Sequence, residues 1–140
     1  MTATSFFDTN VFLYVVSAAA EDAPKREKAI ALIGGCDFAI SVQVLQEFAD
    51  AALRKKRLGV TPAEVRSMLT ELAENYPVLS PTPGLVFRAL DLALRHRIRY
   101  YDAAILAAAQ ELGCQTLYSE DLNHGQTYDT VRVINPFLGV

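Results

Sequence analysis

The sequence is poor in the residues that build metal clusters from sulfur and nitrogen. It has two cysteines, Cys36 and Cys114, far apart and without CxxC spacing, and two histidines, His96 and His124. That argues against a zinc site and, in a reducing compartment, against a disulfide, so both cysteines are expected to be packing residues. It lacks any apolar run of the ~20 residues that a membrane-spanning helix requires. Its N-terminus shows no basic stretch leading into an apolar segment and a small-residue cleavage site. No signal peptide is therefore expected, and the chain is assigned to the cytoplasm with no membrane partner. Positive charge is not in excess either: 13 Lys and Arg stand against 16 Asp and Glu, a net charge of −3. That excludes a protein that coats nucleic acid by charge alone. It does not exclude an enzyme acting on nucleic acid, because acids that hold a metal count in the total; without the four singled out below, −3 becomes +1. Low-complexity segments, repeats and long linkers are absent, so residues 1–140 read as one domain with a real core.

What is present is an alternation of short β-like runs and helical ones. TSFFDT (4–9) reads as a first strand, and NVFLYVVSA as a helix with Asn10 as its N-cap. PKREKAIALIGG opens with Pro24 and stops on Gly34 and Gly35. DFAIS (37–41) is a strand, and residues 43–57 place Val44, Leu45, Phe48, Ala49 and Ala52 at helical spacing. Thr61, Pro62 and Glu64 form a capping box with proline at the first helical position. PVLSP is short and extended, PGLVFRALDLALRHR is helical, and residues 101–112 are helical with Gly113 as the stop. QTLYS (115–119) and VRVIN (131–135) are the last strands. Alternating elements of this length predict an α/β fold with a mainly parallel sheet of about five strands, covered by helices. Such sheets carry their active sites at the carboxyl ends of the strands.

Four acids fall where those ends should lie. Asp8 ends strand one, Asp121 follows a late strand, Asp102 opens a helix, and Glu47 lies about one turn into another. Asp8 and Asp102 interrupt strongly apolar patterns with no cation nearby in sequence, and a buried carboxylate is costly unless something pairs with it. Crowded carboxylates persist at neutral pH only if protons or cations screen them. Mg²⁺ and Mn²⁺ take oxygen ligands, carboxylates and water above all. Metal held this way serves phosphodiester hydrolysis, because the ion lowers the pKa of a bound water and neutralises charge on the phosphate. Each acid also has a structural reading: a helix cap for Asp8, a favourable dipole position for Asp102, an exposed helix residue for Glu47, a turn for Asp121. Thr9, Asn10 and Ser119 are placed to orient a carboxylate or hold a water. Glu120 reads as a fifth acid or, by preference, as a solvated side chain.

At these residues the sequence resembles the PIN-domain family, and within it the VapC-type toxins of bacterial toxin–antitoxin pairs. FFDTNVFLY resembles the family's opening motif, SVQVLQEF the second, YYDAAILAAA the third and LYSEDLNHG the fourth. The resemblance spans essentially the whole chain. It implies a three-layer α/β/α sandwich, with Asp8, Glu47, Asp102 and Asp121 as catalytic residues binding Mg²⁺ or Mn²⁺. It implies an endoribonuclease that leaves 5′-phosphate and 3′-hydroxyl ends and inhibits translation until a cognate antitoxin blocks it. It also implies a homodimer. Asn123 stands where the fourth motif often has another acid.

The basic clusters are RKKR (54–57) and RHRIR (95–99). Both read either as contacts to an RNA backbone or as cations at helix C-termini. Tyr100 and Tyr101 read as base-stacking residues, with core packing expected for at least one. His124 reads as a substrate contact or a plain turn residue. The helix at 10–18 is apolar on more than one side, which implies burial on two faces, one of them under a partner chain, either an antitoxin or a second copy. A phosphoacceptor receiver domain is set aside because VLSPTPG has no Asp and VRVINPFLGV no Lys; an Asp-x-Asp phosphatase is set aside because Asn10 replaces the second Asp. A non-catalytic PIN domain and a housekeeping RNA-processing nuclease remain as alternatives.

Overall fold

Strand β1 (Ser5–Phe7) is buried at all three positions, as a strand with neighbours on both edges and helices on both faces must be. In the computed structural model, which describes residues 3–140, β1 pairs in parallel with β2 (Phe38–Ser41) on one side and β4 (Thr116–Tyr118) on the other. Strand β3 (Val78–Leu79) extends the sheet beyond β2, and β6 (Val131–Ile134) extends it beyond β4, both in parallel. Strand β5 (Thr127–Tyr128) closes the far edge, antiparallel to β6. The order is β3-β2-β1-β4-β6-β5. The sheet therefore has six strands where the sequence pattern predicts about five. The extra strand is two residues long, too short to show alternation, and its turn needs Asp129 at φ 55°.

Four helices, α1 (Thr9–Val16), α2 (Ala23–Gly35), α3 (Val42–Arg54) and α4 (Pro62–Asn75), form one group: α1 packs on α2 and α3, and α3 on α4. Helices α5 (Pro83–His96) and α6 (Tyr100–Glu111) pack on each other, with α6 against β2, β4 and β6. Right-handed crossovers set the two groups on opposite faces, which gives the three-layer α/β/α sandwich. Among the described residues no helix is long and apolar enough to cross a membrane. The core is aromatic at its centre. Phe7 stacks on Phe38 at 4.2 Å between ring centroids, and Phe38 on Tyr76 at 4.1 Å.

Several element ends differ from the sequence reading. Asp8, not Asn10, caps α1, its carboxylate accepting from Thr9 N. Helix α2 runs through Gly34 and Gly35 and stops at Cys36 in extended backbone. Helix α3 ends at Arg54, and Lys56–Leu58 is a separate 3₁₀ turn. The Thr61–Glu64 capping box forms as expected, with both reciprocal bonds at 3.1 Å. Much of the apolar surface of α1 is covered from within the chain: Val11 and Phe12 are buried, and Leu13, Tyr14, Val15 and Val16 are half-buried against the core. Both cysteines are free, Cys114 buried and Cys36 half-buried.

The connections place the site. The chain passes from β1 to β2 on one side and later from β3 to β4 on the other, so the switch in winding direction lies between β1 and β4. Phe7 pairs with Tyr118, and Asp8 N donates to Tyr118 O at 3.0 Å. The next residue on each strand is therefore Asp8 beside Ser119, at the carboxyl ends and at the switch point.

A glycine fixes the turn after α3. Gly59 has φ 65°, and a Cβ there would lie 3.2 Å from the Ala18 side chain. Gly59→Ala should destabilise the protein by about 1–3 kcal/mol, the cost of a left-handed non-glycine residue, read as a lower urea midpoint. An unchanged midpoint would show that the turn relaxes freely.

Candidate active site at the carboxyl edge of the sheet

Asp8 leaves β1 in extended backbone and turns its side chain into the gap between β1 and β4. It is 3% exposed. Its Oδ1 accepts from Thr9 N at 2.7 Å and its Oδ2 from the Ser119 hydroxyl at 2.7 Å. Burial pushes its pKa up to about 7; these two hydrogen bonds hold it down in part, and the Asp121 and Glu47 charges raise it further.

Ser119, fully buried, does two things with one hydroxyl. It donates to Asp8 and accepts from Asp121 N at 3.1 Å. The loop after β4 is thereby tied to the end of β1. Asp121 itself is exposed, and Asn10 Nδ2 donates to its Oδ2 at 3.3 Å. Glu47 arrives from α3, half-buried. The Thr9 hydroxyl donates to Glu47 Oε1 at 3.3 Å, and Gln43 Nε2 donates to Oε2 at 2.8 Å. The same Gln43 amide donates to Tyr101 O at 3.0 Å, which joins α3 to the first turn of α6. Asp102 sits in that turn. Burial raises its pKa, Arg99 pulls it back, and Asp121 and Glu47 push it up again.

All four sequence-selected acids thus meet at one edge, and the three small polar residues hydrogen-bond Asp8, Glu47 and Asp121 but not Asp102. Asp102 does have a cation: Arg99 Nε lies 3.8 Å from its Oδ2, one helical turn away in sequence, a neighbour that the reading of Asp102 as unpaired overlooked. Glu120 departs from the preferred reading of a solvated side chain. It is half-buried, accepts from the Tyr14 hydroxyl at 2.6 Å and faces Lys25 Nζ at 3.6 Å. His124 is exposed, and its Nδ1 accepts from Asn135 N at 3.0 Å, a turn role. Asn123 donates to Gln126 at 3.0 Å. Tyr100 packs against the core while Tyr101 is 59% exposed. Gln43, Lys25 and Tyr14 escaped sequence reasoning. Only Gln43 left a signal, its helical i,i+4 spacing to Glu47.

The donor set suits a hard divalent ion: four carboxylates from four elements, and the Asn10 amide oxygen, buried with no hydrogen-bond partner. Among the described residues no three acidic, histidine or cysteine side chains are gathered closely enough to close around an ion. Arg54, Lys55, Arg57 and Arg99 line a cleft of about 330 Å³ together with Glu47 and Asp121, so the 54–57 cluster lies at this site as well as at a helix end. A second cleft of about 210 Å³ contains Arg99, Asp102, Asp121 and Asn123.

The sequence profile of the PIN domain matches residues 5–129. Solved structures with the same fold include a toxin–antitoxin complex from Klebsiella pneumoniae, 20% identical with TM-score 0.70 over 95% of this chain and 98% of that one. They include the VapC20 toxin of Mycobacterium tuberculosis, described as cleaving the sarcin–ricin loop, 22% identical with TM-score 0.68 over 84% of this chain and 89% of that one. A third is VapBC2 of Rickettsia felis bound to a promoter DNA fragment, 16% identical with TM-score 0.62 over 92% and 96%. No curated protein matches the sequence.

The pKa of Asp8 gives a signed prediction for metal-free protein. The folded state holds this proton more tightly than the unfolded chain, whose value is near 3.8. Its contribution is fully present below that value and is lost as pH rises to about 7. Asp8→Asn imitates the protonated acid and should gain on wild type as pH rises from 5 to 8 in EDTA, by about 2 kcal/mol in urea unfolding. A gap that stays constant with pH would contradict the assignment.

Proposed function

Given that the chain belongs to the PIN-domain family, we propose that it is a metal-dependent endoribonuclease, the toxin of a VapBC-type pair that inhibits translation. The observation that carries this reading is the convergence of Asp8, Glu47, Asp102 and Asp121 from four separate elements on one sheet edge, with Asp8 buried and Glu47 and Asp121 lining a cleft that also holds Arg54, Lys55, Arg57 and Arg99. PIN-domain nucleases use divalent ions, and Mg²⁺ or Mn²⁺ fits the donors here, with these four carboxylates as its ligands. Bound, the ion would activate water and neutralise charge on the phosphate.

The chain's own residues supply the rest. Ser119 and Thr9 N orient Asp8; Gln43 and Thr9 orient Glu47; Asn10 orients Asp121. Arg99 balances Asp102 and presents positive charge to an incoming phosphate. Water adds to phosphorus in line with the departing 3′-oxygen, leaving 5′-phosphate and 3′-hydroxyl ends.

An antitoxin partner is supported by the neighbours described as toxin–antitoxin complexes. A homodimer is supported by α5, whose Val86, Phe87, Leu90 and Leu94 are 45–70% exposed along one side.

Two experiments test the proposal. Mapping RNA 5′ ends in cells expressing the chain should reveal new 5′-phosphate ends that vanish with Asp102→Asn. Identical maps from the two would end the ribonuclease reading. Light scattering should find a dimer that Phe87→Lys converts to monomer, whereas a monomeric wild type would refute the dimer.

A further inference from the structure

The run Arg54–Arg57 looks like one basic patch in sequence, but the fold divides it. Arg57 is spent on structure. Its Nη1 lies 2.9 Å from Oδ2 of Asp22, a side chain of the α1–α2 connection that is 5% exposed. The Ser17 hydroxyl donates to the same oxygen at 2.6 Å. Leu58 is buried, and Ala18 N donates to its carbonyl at 2.7 Å. Gly59 then closes against Ala18. An ion pair, a main-chain hydrogen bond and a buried side chain thus tie this turn to the rest of the fold.

The tied turn presents the end of α3 to the acids. Arg54, Lys55 and Arg57 line the 330 Å³ cleft with Glu47 and Asp121, while Lys56 does not; of the three, only Arg57 has its guanidinium held by a buried carboxylate. Lys55 joins no ion pair among the described residues, and Arg54 has only the exposed Asp50 one turn back, at 3.5 Å. Arg99 and Asp121 line both this cleft and the 210 Å³ one, so the two meet at the acids. An RNA backbone brought to a carboxylate cluster is repelled unless cations close by neutralise its other phosphates. The two linked clefts run from Asp102 and Asp121 to the end of α3 with cations along them, the form of groove that tracks the backbone of a single strand.

We propose that Arg54 and Lys55 form a phosphate subsite for single-stranded RNA, away from the bond that is cut, and that Asp22, acting through Arg57, is the positioning residue that holds this subsite against the carboxylates. This rests on the ribonuclease reading above. In it the four basic residues have three roles: Arg54 and Lys55 bind, Arg57 pins, and Lys56 faces elsewhere.

The test is binding of a fluorescent single-stranded oligoribonucleotide in EDTA across a salt series, with Tm and Mn²⁺-dependent cleavage measured in parallel. Arg54→Gln and Lys55→Gln should each reduce the slope of log affinity against log salt by about 0.7, raise KM more than they lower kcat, and leave Tm unchanged. Lys56→Gln should match wild type. Asp22→Asn should weaken RNA binding although it removes a negative charge, a result that charge alone would reverse. Arg57→Lys, which keeps the charge and can still reach Asp22, should restore part of what Arg57→Gln loses, and serves if Asp22→Asn does not fold. The subsite is overturned if Arg54→Gln and Lys55→Gln bind like Lys56→Gln. The positioning role is overturned if Asp22→Asn binds as tightly as wild type or tighter. A duplex bound as well as the single strand overturns the choice of substrate. If binding follows the expected pattern but wild type cuts nothing with Mn²⁺, the subsite stands and the ribonuclease reading falls.

Discussion

A carboxylate at the end of the central strand, almost closed off from water, is the constraint around which this molecule is organised. Asp8 cannot be moved without moving β1, and β1 pairs on both edges and is buried at every position. Its charge is therefore set in a low-dielectric place by the fold itself. The first turn of α1 and the buried Ser119 give it two hydrogen bonds. These offset part of the cost of burial without cancelling it, and the proton stays on at pH values where an ordinary aspartate has lost it. What remains uncompensated is a demand for positive charge. In the function proposed above a divalent ion would meet that demand; for Asp102, Arg99 meets part of it.

The neighbouring groups make sense as consequences. Ser119 links Asp8 to the loop that carries Asp121, so an exposed acid is located by a buried hydroxyl. Gln43 joins Glu47 to the first turn of α6, so helices from the two faces of the sheet are registered to each other at the site. Negative charge is concentrated at the strand ends, and positive charge lies in the same cleft on the tip of α3 and on Arg99. Such a split favours a polyanion whose phosphates are spaced along a chain. A net charge of −3 is therefore compatible with the RNA substrate proposed above: the distribution matters more than the sum.

Legibility in the sequence followed the range of the interactions. The Thr61–Glu64 capping box, the apolar stripe of α3 and the helix at Pro83–His96 depend on neighbours three or four residues apart, and each was readable. The parallel α/β class was readable because strand and helix patterns alternate. Strand β5 was not, since two residues carry no period. Asn10 was mistaken for a cap because it and Asp8 are both good cap residues, and only the backbone of residue 8 decides between them. Glu120 looked free because its partners, Tyr14 and Lys25, are about a hundred residues away in the chain.

By itself the sequence determined which residue types were available for chemistry: carboxylates in apolar surroundings, no histidine or cysteine cluster, and a spacing that resembles one family across the whole chain. It could do so because burial patterns and helix caps are local, and because an acid inside an apolar run is conspicuous without any structure. Only the tertiary structure decided how those residues are used. It joined Asp8 to Ser119 across 111 residues, gave Arg57 to Asp22 across 35, and left Arg54 and Lys55 lining the same cleft as Glu47 and Asp121. Those pairings depend on parallel strand register and on which way a turn closes, and both are settled by packing between segments that carry no record of each other in the sequence.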